Sequence, residues 1–313
     1  MFEIAKYTPE QKATWNQFVS HSKNGTFLFD RNYMDYHSDR FEDYSLMIYR
    51  KGKLYSLLPA NRVGHVLYSH QGLTYGGMIM SDKVTVADCI EMFRAVNSYL
   101  CGCGLDRVVY KPIPFIYHQH PAQEDLYALF RTTNAKIIGR NVSSTIYQNE
   151  NKLRFSESRR GGIRKSLNDG VSIIQSDDYE AFWDILNINL QNRYGVLPVH
   201  SLDEIRLLHS RFPNNIKLYM AYKGDVPLGG SLLYITKQVV HTQYISASVE
   251  GKELGALDLL FDYLINKEYT SYPYFDFGQS TESMGTVLNE SLIFQKEGFG
   301  GRGMCYDIYE YEL

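Results

Sequence analysis

Residues 44–63 read YSLMIYRKGKLYSLLPANRV, and residues 216–235 read IKLYMAYKGDVPLGGSLLYI. Each stretch is two β-rich runs around a Lys-Gly step, Lys51-Gly52 in one and Lys223-Gly224 in the other. Glycine supplies the positive φ that a tight hairpin turn requires. Two such hairpins about 170 residues apart suggest an internal repeat, the first feature to test in any chain.

The surroundings of the two hairpins agree. Upstream, a helical stretch holds Trp15 in EQKATWNQFV (10–19) and Trp183 in DYEAFWDILN (178–187). A second helical stretch follows in each copy, FDRNYMDYH (29–37) and HSLDEIRLLH (200–209). Downstream, HVLYSHQGLTYGG from His65 matches QVVHTQYISAS from Gln238, each read as a strand. Helices then follow in TVADCIEMFRAVNSYL and ALDLLFDYLINKEY, with apolar residues at i, i+3, i+4 and i+7. Short strands RVVYKP and YFDFG, further helices, and β-rich closing segments complete both copies. The polar run QNENKLRF (148–155) has the composition of a linker. The expectation is an α/β fold with two tandem domains, 1–150 and 151–313, each a mostly antiparallel mixed sheet flanked by helices.

Composition narrows the classes. Of the 313 residues 44% are apolar and 21% charged, which excludes wholesale disorder. The net charge of −3 gives no nucleic-acid footprint at the level of the whole chain. The first residues, MFEIAKYTPEQ, lack the basic and apolar regions of a signal peptide, and no run is long enough to cross a bilayer. Four cysteines, Cys89, Cys101, Cys103 and Cys305, do not make a disulfide framework. A soluble cytoplasmic protein is expected. Cys101 and Cys103 are one residue apart, and His118 and His120 have no companion ligands at zinc spacing, so no metal site is expected. No G-x-S-x-G elbow is present, which argues against hydrolase-type covalent catalysis.

Three segments carry a family resemblance. Arg159-Arg160-Gly161-Gly162-Ile163-Arg164-Lys165-Ser166 with Asn168-Asp169-Gly170-Val171 opens the second copy. Leu254-Gly255-Ala256 opens the helix after its central strand. Ile293-Phe294-Gln295-Lys296-Glu297-Gly298-Phe299-Gly300-Gly301 closes it. With the order of elements, these resemble the GNAT acyltransferase fold in tandem, as in the Fem-type (FemAB-like) peptidoglycan bridge aminoacyltransferases, here without their helical arm. The closing segment departs from the family's FK-x-GFGG, since Gln295 separates Phe294 from Lys296.

The resemblance implies site residues. Gly251, Lys252, Gly255 and Ala256 stand where GNAT enzymes hold the pyrophosphate of acetyl-CoA, although Leu257 replaces the usual small residue. A strand-to-helix turn with unpaired N–H groups is physically suited to phosphate. The matching place in the first copy, Asp82-Lys83-Val84-Thr85-Val86, has no glycine, so that copy is expected to shape the acceptor cleft. Asp276 or Glu282 could act as general base on an amine, and Gln279 and Ser280 could orient substrate. Lys296 is implied to offset developing negative charge. Arg160 and Arg164, four apart on one helix face in a basic cluster with Arg154, Arg159 and Lys165, could bind the diphosphate of a nucleotide-linked sugar or a nucleic-acid backbone, or simply face solvent. His241 and Gln243 fall on one strand face by alternation; His241 could be a base near neutral pH, but a lone strand histidine is more often a hydrogen-bonded core residue, the reading preferred.

Three functions fit. The first is transfer of an acyl group from acetyl-CoA or another acyl-CoA to an amine of a small molecule, such as a nucleotide-linked amino sugar. The second is transfer of an amino acid from aminoacyl-tRNA to a cell-wall (bacterial cell-envelope) precursor, against which stands the absence of excess positive charge. The third is a binding module without catalysis. A monomer is expected, since tandem copies can replace a dimer.

Overall fold

The computed structural model describes residues 2–313, Tyr194 by its main chain alone. Along the chain the principal elements are β1 (Phe2–Lys6), α1 (Lys12–His21), α2 (Arg31–Met34), β2 (Leu46–Arg50), β3 (Lys53–Leu58), β4 (Asn61–Val63), β5 (Val66–Tyr68), β6 (Ile79–Met80), α3 (Val86–Gly102), β7 (Arg107–Tyr110), α4 (Glu124–Thr132) and β8 (Lys136–Tyr147). They continue as α5 (Glu157–Asn168), β9 (Val171–Ser176), α6 (Tyr179–Tyr194), α7 (Leu202–Arg211), β10 (Ile216–Lys223), β11 (Val226–Ile235), β12 (Val239–Ala247), α8 (Val249–Leu254), α9 (Ala256–Tyr263), β13 (Tyr274–Gln279), α10 (Glu290–Glu297) and β14 (Arg302–Glu312). The mixed α/β class holds. No described helix is long and apolar enough to cross a membrane.

Two compact units form. One comprises Met1–Asn141, Thr281–Val287 and Cys305–Leu313; the other comprises Val142–Ser280 and Leu288–Met304. The end of the chain therefore counts with the first unit.

In the first unit β1, β2, β3 and β6 form an antiparallel sheet. The β2–β3 turn has positive φ at both Lys51 (50°) and Gly52 (71°), the twist-matched hairpin geometry. The stretch from His65 to Gly77, expected as one central strand, is not one. Only Val66–Tyr68 is strand, pairing parallel with β7, while Ile79–Met80 pairs with β3. The cause lies in the glycines: a Cβ on Gly76 would sit 1.7 Å from the Ser69 carbonyl oxygen, and Gly77 has φ +82°. Chain folded that closely on itself cannot continue as a strand. Residues 305–312 complete the unit: Tyr309 to Glu312 pair antiparallel with Tyr110 to Arg107. Tyr311 enters a core with Leu46, Ile48, Met92, Phe93 and Val96.

In the second unit the strand order is β9-β10-β11-β12-β13, followed by residues 142–147 of β8. Only β12 and β13 pair in parallel, as a strand–helix–strand crossover through α8 and α9 dictates. Phe261, Phe275, Phe277 and Phe299 pack under the crossover with Leu260, Leu264 and Val240. The basic helix α5 lies on α9 and meets it at small residues. Gly255 has φ +73°, and a Cβ there would lie 2.8 Å from the Gly162 carbonyl oxygen.

Candidate functional site

The parallel register places His241 of β12 directly opposite Asp276 of β13. The described pairing of these strands ends at that step, although β12 runs on to Ala247 and β13 to Gln279. Beyond it the strands part. A bulge on β12 contributes: Leu232 pairs with Tyr244 and Leu233 with Thr242, leaving Gln243 as the extra residue. Bulges raise local twist and re-aim side chains, so simple alternation from His241 to Gln243 does not hold.

At the branch point Asp276 is fully buried. Its Oδ2 lies 2.8 Å from His241 Nδ1. Its Oδ1 accepts hydrogen bonds from the Ser143 and Thr145 hydroxyls. Burial alone would raise its pKa, but the His241 contact and the two hydroxyls outweigh that and hold it below the ordinary carboxylate value. An ionised carboxylate at Nδ1 selects the tautomer that carries its proton there and leaves Nε2 free to accept one. His241 keeps 12% of its side chain exposed and has no described partner at Nε2. Asp276, expected as a general base, is thus enclosed by His241, Ser143 and Thr145. His241, expected to be an ordinary core residue, is the exposed end of a carboxylate–imidazole pair.

Lys296 is also buried. It donates to the carbonyls of Gly278 (2.9 Å) and Gln279 (2.8 Å). Successive carbonyls of a regular strand point opposite ways. Gly278, at φ +72°, breaks that alternation so that both reach one ammonium. Desolvation lowers the Lys296 pKa to about 8, partly opposed by the charge of Asp276. Ser280 is buried, and its hydroxyl has no hydrogen-bond partner among the described residues. Glu282 is exposed and falls in the segment Thr281–Val287 of the first unit.

Where β12 and β13 part, a cleft of about 730 Å³ opens between α6, the end of β12, α8–α9 and α10. Leu186, Leu190, Ile245, Phe277 and Phe299 make it largely apolar, and Lys296 lines it. Lys252 also lines it and extends into an adjoining cavity of about 290 Å³ that includes Arg159, Gly251 and Gly255. Lys252 Nζ donates to Asn189 Oδ1 (2.7 Å), and Asn189 in turn donates to Ser246 Oγ (2.8 Å) and the Ala247 carbonyl (2.7 Å). Arg159 pairs with Asp258 at 2.6 Å.

The glycines of this turn serve packing. A Cβ on Gly251 would lie 2.0 Å from the Leu228 carbonyl oxygen, and the Ser248 hydroxyl already accepts from the Gly251 N–H. Ala256 is buried in a small cluster with Val171 and Leu228. Arg160 and Arg164 both bond Glu157 on an exposed helix face and line neither cavity. Among the described residues no group of three or more His, Cys, Asp or Glu could hold a metal ion. Asn189, Ser143 and Thr145 were not foreseen; nothing in their local sequence marks them.

Comparison with known proteins gives the following. Residues 145–283 match the family model described as acetyltransferase (GNAT) domain. Among solved structures the fold is similar to the crystal structure of FemX, with a TM-score of 0.69 and 12% identity over 99% of this chain and 97% of that one. It is also similar to a conserved protein of unknown function from Bacteroides thetaiotaomicron, with a TM-score of 0.62 and 12% identity over 100% of both chains. A third likeness is to the C-terminal domain of a putative lysylphosphatidylglycerol synthetase from Agrobacterium fabrum, with a TM-score of 0.59 and 12% identity over 96% of this chain and 91% of that one. No curated protein matches. Residues 145–283 therefore carry a GNAT acetyltransferase domain, and the whole chain has a FemX-like fold.

Proposed function

We propose that this GNAT-domain chain is an N-acyltransferase that takes its acyl group from acyl-CoA and delivers it to an amine of a small molecule, a nucleotide-linked amino sugar being one acceptor of suitable chemistry. The observation that carries the reading is the cleft at the parting of β12 and β13. It is largely apolar, as suits a pantetheine arm and acyl group, and it adjoins the cavity of Lys252 and Arg159, where phosphates would find cations. On α5, Arg160 and Arg164 already share Glu157, which leaves less of their charge for a tRNA backbone. A donor of this kind places the reaction in the cytoplasm, and the chain would act as a monomer.

Lys296 lines the cleft while His241 does not, and the reading assigns the steps as follows. The acceptor amine attacks the thioester carbonyl and forms a tetrahedral intermediate. His241 Nε2 takes the amine proton, with Asp276 stabilising the imidazolium. Lys296 stabilises the oxyanion in surroundings where a charge is poorly screened. The intermediate collapses by breaking the carbon–sulfur bond. Lys296, with a pKa pulled to about 8, is close to a thiol's own value and can protonate the leaving sulfur.

Thermal unfolding with acetyl-CoA tests the reading. A ligand at a hundredfold excess over Kd stabilises the native state by about 2.7 kcal/mol. The expected result is a raised midpoint that Lys252→Glu abolishes. No shift with acetyl-CoA, together with a salt-sensitive shift with tRNA, would replace it with aminoacyl transfer. No shift with either, and no turnover, would favour a binding module.

A further inference from the structure

The first unit holds a second cavity, of about 370 Å³, that acyl transfer does not use. The sheet topology creates it. The β2–β3 hairpin ends at Arg50-Lys51-Gly52-Lys53. Antiparallel pairing of Ser56 with Met80 brings the loop after β6, Ser81-Asp82-Lys83, beside that turn. The Ser81 N–H donates to the Tyr55 carbonyl at 3.3 Å and fixes the approach. The end of α1, with Phe18 and His21, closes the third side.

The charge on this wall is opposite in sign to the chain's net −3. Arg50, Lys51, Lys53 and Lys83 line the cavity with one carboxylate, Asp82. Arg50 is held by Asp88 at 2.7 Å. The other three ammonium groups have no hydrogen-bond or ion-pair partner among the described residues. Ser81, on the same wall, keeps a buried hydroxyl without a partner. Gathering like charges around a concavity costs free energy unless an anion relieves it, and the resulting field concentrates anions there. Lys51, Lys53 and Lys83 are exposed around the mouth of the cavity, and three cations around one mouth suit a ligand with several negative charges close together. Phe18, Leu54 and Tyr55 add an apolar side for an organic portion.

We propose that this cavity binds a diphosphate group, with the ammonium groups of Lys51, Lys53 and Lys83 meeting its oxygens and Phe18 and Tyr55 beside whatever the diphosphate is attached to. The site is independent of the acyl-transfer cleft and of the reading given for it.

Calorimetric titration of the full chain carrying Lys252→Glu, which removes a cation from the acyl-transfer cleft, isolates the site. Inorganic pyrophosphate, ADP and UDP are expected to bind with Kd below about 1 mM and to weaken as salt rises, while adenosine and uridine do not bind. Tighter binding of the nucleotides than of pyrophosphate would assign the site to a nucleoside diphosphate; equal or weaker binding would assign it to diphosphate alone. Adding Lys51→Glu and Lys83→Glu is expected to weaken every diphosphate at least about tenfold at an unchanged melting midpoint. If those substitutions unsettle the fold, Lys51→Gln with Lys83→Gln gives the same comparison without introducing acids. No binding, binding indifferent to the lysines, or binding of a short single-stranded RNA but not of diphosphates would overturn the proposal.

Discussion

Asp276 is fully buried and bonded through both oxygens, while His241 reaches the surface of the unit. On the proposed acyl transfer the first would be a positioning residue and the second the proton acceptor. Asp276→Asn keeps the shape but can hold the imidazole in the wrong tautomer. We expect kcat to fall about 10²- to 10⁴-fold with KM little changed, measured by steady-state turnover against pH. Loss confined to KM would place the pair in binding instead. Lys296 gives a prediction of opposite signs for rate and stability. Its folded pKa, about 8, lies below its ordinary value of 10.5. Between these values the unfolded state binds more protons, so stability should rise with pH as the cost of the buried charge is relieved. Turnover should fall over the same rise because the ammonium is lost. In Lys296→Met both trends should vanish from the pH profiles of kcat and of denaturant midpoint.

At the scale of elements, Leu254-Gly255-Ala256 opens α9 but does not follow the central strand directly: the short helix α8, with Gly251 and Lys252 inside it, stands between. The glycines are needed because chain meets chain. Gly255 is left-handed against Gly162, a Cβ on Gly162 would sit 1.8 Å from Asp258 Oδ2, and Gly251 abuts the Leu228 carbonyl. Gly251→Ala must displace backbone, and overpacking of this kind costs about 1–3 kcal/mol. A lowered urea midpoint at unchanged slope is the expected result. An unchanged midpoint would show that the turn has room after all, and that a ligand could approach it more closely than the packing suggests. The basic helix was legible as basic, but its electrostatic role was not. Glu157, three residues from Arg160, engages both exposed arginines, while Arg159 turns to Asp258, about a hundred residues away.

For the whole molecule, the last strand matters to residues far behind it. Tyr311 is buried in the first unit, and its hydroxyl donates to Asn97 at 3.0 Å. Tyr311→Ala should cost about 3–5 kcal/mol, as large aromatic truncations in cores do. Hydrogen exchange should lose protection first in α3 and β7, which border that side chain's core; loss spread evenly over both units would contradict the division described. The sequence by itself determined the α/β class, the repeated hairpins with their Lys-Gly turns, the two tryptophan helices and the closing segment with Lys296. Those signals are local: periodicity, turn glycines and short motifs act within a few residues of chain. Only the tertiary structure decided that His241 stands opposite Asp276, that Gly278 turns two carbonyls onto Lys296, and that residues 305–313 return to the first unit. Each depends on strand register across a crossover or on pairing between distant segments. Many registers satisfy the same alternation of side chains, and the packing of the whole unit selects among them.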